Sequence, residues 1–226
     1  MPSVTWYGHS CFAVEWETTT LLIDPFFEGN PTAPVGQETI GKVDCILVTH
    51  DHDDHLGDTL AIAARTGASV IAIHDLICHL QGNGLDAHKA MSMNIGGSVE
   101  AKGTQIFMVP AIHSAGRGTA AGFVIHLKNA FSFYHAGDTA LFSDMALIGR
   151  RHNPALAMVP IDGRFNMDPE DAAEACRLLQ CRQVIPMHWG TFPILEPDTD
   201  RFEAALRKKA PDIQCLSMVP GQTLKL

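Results

Sequence analysis

No apolar run in this chain approaches the roughly 18 residues that a bilayer-spanning helix needs, so no membrane span is expected. There is no Gly/Ser-rich or Pro-rich tract, no low-complexity run and no block of like charge, which argues against an internal linker or a disordered arm. A chain of 226 residues without a linker is expected to form one domain over residues 1–226. Cysteine is sparse and scattered, at 11, 45, 78, 176, 181 and 215, with no C-x-x-C pair. Several cysteines lie in apolar runs such as 43–48, so buried reduced thiols are expected rather than disulfides or a thiolate metal site. Basic residues are few, 16 Lys and Arg against 25 Asp and Glu, and they form no cluster. A nucleic-acid partner is therefore not expected, because phosphate binding draws its affinity from Lys and Arg. Residues 1–4, Met1-Pro2-Ser3-Val4, lack the basic and apolar regions of a signal peptide. A cytoplasmic protein acting on a small molecule is expected, and a homo-oligomer is compatible with the sequence.

Apolar residues make up 46% of the chain and charged residues 18%, a balance that suits a well-buried globular enzyme. Short β-type runs occupy 4–7, 11–16 and 20–23, and 45–49 reads as a strand buried on both faces. Helical patterns at 60–65 and 75–80 flank a strand at 69–73, and further strands are expected at 105–109, 123–127 and 130–134. The second half alternates in the same way, with a helix at 140–148, a strand at 155–159, a helix at 169–179 and a strand at 184–187. Asp168 can cap the helix that follows it, with Pro169 at its first position and Glu170 and Asp171 in its first turn. Phe202, Ala205 and Leu206 mark a last helix by their spacing. The pattern predicts an α/β protein with helices covering the faces of β-sheet, in one sheet or in two.

Twelve histidines are the conspicuous surplus, and three of them fall in one short segment. Thr49-His50-Asp51-His52-Asp53-Asp54-His55-Leu56-Gly57-Asp58 follows the buried strand directly. In a regular strand His50 and His52 would share a face, but Asp54 and His55 could not both join them. A loop turning into a helix can bring all four to one point, at the kind of strand end where α/β sheets place their sites. Single candidates recur after other expected strands: His113 after 105–109, Asp138 after 130–134 and His188 after 184–187. Any one of them alone would suggest a capping or hydrogen-bonded residue. Their recurrence at strand ends suggests a metal site.

The pattern H-x-H-x-D-H, followed by a lone His, a lone Asp and a final His, resembles the metallo-β-lactamase superfamily. Within it the chain is similar to a family of uncharacterised metal-dependent hydrolases near the ascorbate-phosphate lactonases. The resemblance also covers Trp6-Tyr7-Gly8-His9-Ser10, Leu22-Ile23-Asp24-Pro25, His113-Ser114, Tyr134-His135-Ala136-Gly137-Asp138-Thr139, Pro169-Glu170-Asp171-Ala172 and Pro186-Met187-His188. It implies the metallo-β-lactamase αββα four-layer sandwich. It also implies two metals, with His50, His52 and His113 on the first, Asp54, His55 and His188 on the second, and Asp138 bridging. Two departures stand out: Asp51 and Asp53 occupy spacer positions where relatives carry small residues, and Pro160-Ile161-Asp162-Gly163 stands where relatives tend to carry two glycines.

Imidazole and carboxylate without thiolate suit Zn²⁺ first, with Mn²⁺, Fe or Ni also compatible. Two metals roughly 3.5–4 Å apart can share a bridging hydroxide by lowering the pKa of water toward about 7. Asp54 could orient that nucleophile and take its proton. Asp24 is expected to orient a ligating histidine, with a structural turn before Pro25 the competing reading. His9 and His135 are candidates to contact substrate or protonate the leaving group, each set against a hydrogen-bonded core histidine. Arg117, in the glycine-containing stretch after His113, could meet an anionic substrate, although a plain connecting loop explains it as well. The expected activity is hydrolysis of a small-molecule ester, lactone or thioester. A small phosphodiester is the alternative reading, and a non-catalytic metal-binding protein the third.

Overall fold

Short aliphatic and β-branched runs bounded by turn residues become strands, and amphipathic runs with a cap become helices. The computed structural model describes residues 1–128 and 131–226. In chain order it contains β1 (Ser3–Trp6), β2 (Phe12–Trp16), β3 (Thr19–Ile23), β4 (Cys45–Leu47), α1 (Asp53–Leu56), α2 (Thr59–Thr66), β5 (Ser69–Ile73), α3 (His74–Gly82) and β6 (Ala90–Met93). Then follow β7 (Ser98–Ala101), β8 (Thr104–Pro110), β9 (Ala121–His126), β10 (Ser132–His135), α4 (Met145–His152), β11 (Leu156–Pro160), α5 (Pro169–Leu179), β12 (Gln183–Met187), α6 (Asp200–Lys209), β13 (Gln214–Cys215) and β14 (Thr223–Lys225).

The chain divides into two compact units. Unit one holds Met1–Ile95, Ser114–Thr119 and Val219–Leu226, and unit two holds Gly96–His113 and Ala120–Met218. Unit one carries a seven-stranded sheet in the order β14-β1-β2-β3-β4-β5-β6, and unit two one in the order β13-β12-β11-β10-β9-β8-β7. The sequence left open whether there was one sheet or two, and there are two. Both are mixed. In unit one the strands from β14 to β3 pair antiparallel and those from β3 to β6 pair parallel. Unit two repeats the plan, parallel from β13 to β10 and antiparallel from β10 to β7.

The parallel strands inside each sheet are dry, and the outermost ones, β6 and β13, are not. Every residue of β4 and β11 is buried, which explains why both read as continuous apolar runs rather than alternating ones. The start of α5 follows its sequence signals: Asp168 accepts the Asp171 N–H at 2.8 Å, with Pro169 at the first helical position.

Several expectations need correction. The helix expected at 140–148 is α4, Met145–His152; Ala140 lies before it, its N–H bonded to the Ile112 carbonyl at 3.0 Å. The strand expected at 130–134 is β10, and Ala130 lies outside the described residues. Strands β6, β7, β13 and β14 went unread, being short and largely exposed. The pairing of β14 with β1 joins the two ends of the chain, with Thr5 Oγ1 and Thr223 Oγ1 at 2.8 Å. Of the cysteines, Cys11, Cys45, Cys176 and Cys181 are buried free thiols as expected, whereas Cys78 is exposed and Cys215 half-buried.

Candidate metal centre

In unit one the donors gather where β3 and β4 end. Asp24 follows β3, and its N–H is still bonded to the Leu47 carbonyl at 3.0 Å, so the two strand ends are in register. Its carboxylate then organises the next loop. Oδ1 accepts the Thr49 N–H at 2.8 Å, while Oδ2 accepts the Thr49 hydroxyl at 2.8 Å and faces His55 Nδ1 at 2.8 Å. Asp24 and His55 are both fully buried. His55 sits in α1, the single turn in which the loop ends, with His52 as its N-cap residue. Gly57 closes that turn at φ +38, where an added Cβ would stand 2.4 Å from the Pro25 carbonyl oxygen.

The turn brings the motif's side chains together. His50 Nδ1 meets the Thr49 hydroxyl at 3.0 Å, and His50 Nε2 lies 2.9 Å from His52 Nδ1. The His50 and His55 rings are 4.2 Å apart between centroids. Asp54 Oδ2 lies 3.0 Å from Nε2 of His9, which is fully buried between β1 and β2. His9 is fixed in turn by the Trp6 indole N–H, which donates to its carbonyl at 3.0 Å. The His9 and His55 rings, 5.8 Å apart between centroids, join the Asp54–His9 and His55–Asp24 pairs into one group.

Arg117 belongs to the same unit, but its guanidinium is engaged: Nη1 donates to Asp51 Oδ2 at 3.0 Å. The Gly116 N–H donates to Asp51 Oδ1 at 2.7 Å. Burial opposes ionisation of Asp51, but the Gly116 amide and the Arg117 guanidinium outweigh it and hold the carboxyl below the usual carboxylate range. Asp51, noted as a departure from the family's small spacer, therefore anchors the segment that bears Arg117.

In unit two the donors come from separate strand ends. His113 follows β8, Asp138 follows β10 and His188 follows β12 directly. Asp138 Oδ2 lies 3.2 Å from His188 Nε2 and 3.6 Å from His113 Nε2, so one carboxylate oxygen faces both imidazoles. His188 Nδ1 lies 3.1 Å from Asp162 Oδ2. Thr139 ties two of these loops together, its hydroxyl accepting the Ile112 N–H at 2.9 Å and donating to the Ala140 carbonyl at 2.8 Å. Burial pushes His188 toward its neutral form, but Asp138 and Asp162 outweigh it and lift its pKa to about 10. Burial also opposes ionisation of Asp162, yet His188 and the Phe165 and Arg164 amides hold its carboxyl below the usual range.

Asp162 is the site residue that sequence reasoning missed. It accepts the N–H groups of Arg164 at 2.9 Å and Phe165 at 2.7 Å, and the Asn166 side-chain amide at 2.7 Å. Its position just after β11, at the departure Pro160-Ile161-Asp162-Gly163, was the available signal. His135 stands differently from the other candidates: it is fully buried at the end of β10, and its Nδ1 accepts the Gly137 N–H at 3.2 Å, shaping the turn that leads to Asp138.

The donors fit divalent cations. All are imidazole or carboxylate; His50 and His55 each have one ring nitrogen turned to a hydroxyl or carboxylate of their own unit, and His188 has both turned to carboxylates, Nδ1 to Asp162 and Nε2 to Asp138. In His50 and His55 that arrangement fixes the tautomer and leaves the opposite nitrogen to face an ion. The backbone agrees: His9, Asp24 and His188 all adopt left-handed φ, at 52°, 45° and 61°. Such conformations cost about 1–3 kcal/mol each and persist where the surroundings over-determine them, which is common at functional sites.

Comparison with known proteins points the same way. Residues 19–189 match the family model described as a beta-lactamase superfamily domain. A UPF0173 metal-dependent hydrolase of Nitratidesulfovibrio vulgaris is 46% identical over 99% of this chain and 95% of its own. The structure of Igni18, a metallo hydrolase from the archaeon Ignicoccus hospitalis, superposes with a TM-score of 0.91 at 36% identity, covering 100% of this chain and 99% of that one. The metallo-beta-lactamase fold protein YhfI of Bacillus subtilis, at 15% identity, superposes with a TM-score of 0.78 over 99% of each chain and shares the fold alone.

Proposed function

The chain belongs to the UPF0173 metal-dependent hydrolases of the beta-lactamase superfamily, and on that premise we propose that it hydrolyses a small-molecule carboxylic ester, lactone or thioester at a dinuclear centre, with zinc the first candidate metal. The observation that carries this reading is the matched pair of buried contacts, Asp24 to His55 at 2.8 Å and Asp162 to His188 at 3.1 Å. Carboxylates that orient imidazoles in this way are the usual support of metal-ligating histidines.

In this reading His50, His52 and His113 hold one ion, Asp54, His55 and His188 hold the other, and Asp138 serves both. The bound ions would supply a water acidic enough to attack at neutral pH and a Lewis acid for the carbonyl oxygen. The protein's own part is positioning and proton transfer. Asp54, restrained through Oδ2 by His9, accepts the proton that the attacking water gives up. As the acyl C–O or C–S bond breaks, the departing oxygen or sulfur takes a proton, and His9, in hydrogen-bond contact with Asp54, is the side chain placed to relay it. His135 acts on the turn before Asp138 rather than on substrate. Arg117 contacts an anionic substrate only if it leaves Asp51.

The test is turnover of paired chromogenic substrates by protein loaded with Zn²⁺ or Mn²⁺, with Asp138→Ala as the blank. Cleavage of esters, lactones or thioesters but not of phosphodiesters is expected. Cleavage of phosphodiesters alone would overturn the substrate class, and no cleavage of either above the blank would overturn the hydrolytic reading of these substrates.

A further inference from the structure

Unit two exposes large apolar side chains on the loops that carry its donors. Ile112, directly before His113, is 55% exposed; Phe165, three residues after Asp162, is 57% exposed; Phe192 and Ile194, on the loop after His188, are 36% and 55% exposed. Scattered exposed apolar residues are ordinary, but a cluster beside a polar site is a mark of recognition.

These loops are joined to one another. The Ile112 carbonyl accepts the Ala140 N–H at 3.0 Å, and the Met167 N–H reaches the Thr139 carbonyl at 3.2 Å. Gly163 N–H bonds to the Met167 carbonyl at 3.1 Å, and Glu196 N–H to the Asp162 carbonyl at 3.0 Å. The Phe165 N–H sits on Asp162 Oδ1, the carboxylate whose other oxygen faces His188. The four side chains therefore stand on one hydrogen-bonded frame that also holds His113, Asp138 and His188. The backbone groups just named are satisfied within the frame, so what it offers is side-chain surface rather than an open strand edge.

We propose that this frame is an acyl-binding face, and that the substrate carries a medium-length aliphatic or aryl acyl group lying on Ile112, Phe165, Phe192 and Ile194. The proposal rests on the hydrolase reading above and narrows its substrate class. An acyl group is favoured over a second protein copy because the apolar residues stand on the same hydrogen-bonded loops as the donors. Ile112 adjoins His113, and the Phe165 and Ile194 loops meet at Asp162.

The test is calorimetric binding of butyrate, hexanoate and octanoate, the products of such a reaction, to the metal-loaded protein. A buried methylene contributes about 0.8 kcal/mol, so Kd should fall roughly two- to fourfold per added methylene. The double variant Phe165→Ser with Ile194→Ser should flatten that series, whereas Leu147→Ser, an exposed apolar residue on α4, should leave it unchanged. Should the double variant not fold, judged by circular dichroism, Ile112→Ser alone serves in its place. A flat series in the wild type, or an unchanged slope in the variant, would overturn the proposal. So would light scattering that shows a wild-type dimer split by these substitutions, since the face would then join two copies. The binding series needs no turnover. Acetyl esters cleaved without chain-length preference would remove the acyl face and spare the hydrolase; graded binding with no cleavage would do the opposite.

Discussion

Unit one takes its donors from a single short stretch, His50 to His55, while unit two takes His113, Asp138 and His188 from the ends of three different strands. The first set is assembled by one turn of helix and one carboxylate, Asp24. The second exists only if β8 to β12 lie in the right order and register, because a one-residue slip would turn each strand-end side chain to the opposite face. A donor group gathered within a turn is thus a local property of the chain, and one gathered across strand ends is a property of the sheet. Yet both units use the same device for aim, a buried carboxylate just beyond a parallel strand, Asp24 after β3 and Asp162 after β11.

The largest expected effect tests the sheet-built half. Asp138→Ala removes the oxygen that faces both His113 and His188. Metal analysis should show the loss of most of one equivalent, and hydrolysis should fall well beyond the roughly 10–100-fold that loss of an orienting partner costs. Two metals at full occupancy in this variant would refute the bridging role.

Next come the orienting carboxylates, compared directly. Asp24→Asn and Asp162→Asn should each lower metal affinity by about 10–100-fold, read by chelator competition. Similar losses would sharpen the parallel between the units. A loss confined to Asp24→Asn would break it, leaving Asp162 with a role only in its own loop.

Two glycines offer a smaller contrast, at about 1–3 kcal/mol each in unfolding free energy. Gly57→Ala puts a Cβ 2.4 Å from the Pro25 carbonyl oxygen in a left-handed conformation, and Gly149→Ala, on α4, puts one 2.4 Å from the Leu179 carbonyl oxygen at the end of α5. Both should lower the denaturant midpoint. Only Gly57→Ala, next to α1, should also lower metal content; equal metal loss in both would mean the donor turn is not a local structure.

The smallest effect lies in unit two, away from its donors. His126 Nε2 and His152 Nδ1 are 3.2 Å apart beside Phe107. Burial, then the His126 and Arg151 charges, depress the His152 pKa to about 4 from an ordinary 6.5, and burial lowers His126 as well. The unfolded chain therefore binds protons that the folded chain refuses. Stability from this pair is complete above about pH 6.5 and is lost as pH falls toward 4. His152→Gln should flatten that part of the pH–Tm profile by a few degrees. An unchanged profile would place the acid sensitivity elsewhere.

Much of this was legible in the chain. The run from His50 to His55 announced itself, because ligands chelating within one turn must be close in sequence. Asp24 was only half legible: a carboxylate at a strand end before proline reads nearly as well as a structural turn, and its contact with His55 Nδ1 at 2.8 Å is tertiary. Asp162 was missed, since nothing local distinguishes an aspartate that orients a histidine from one that caps its own loop. The short edge strands were missed because two to four half-exposed residues carry no period. The engagement of Arg117 by Asp51 was invisible too, as it joins positions 51 and 117 through a loop contact.

By itself the sequence determined the α/β class, the buried strands β4 and β11, the capped start of α5 and the crowding of imidazole and carboxylate groups at 50–55, all of which depend on local propensity, periodicity or spacing. Only the tertiary structure decided that there are two sheets of the same plan, that β14 returns to β1, and that Asp162 faces His188. Those facts depend on strand order and register, and pairings between distant segments are set by the collective burial of whole sheets rather than by any residue's neighbours in the chain.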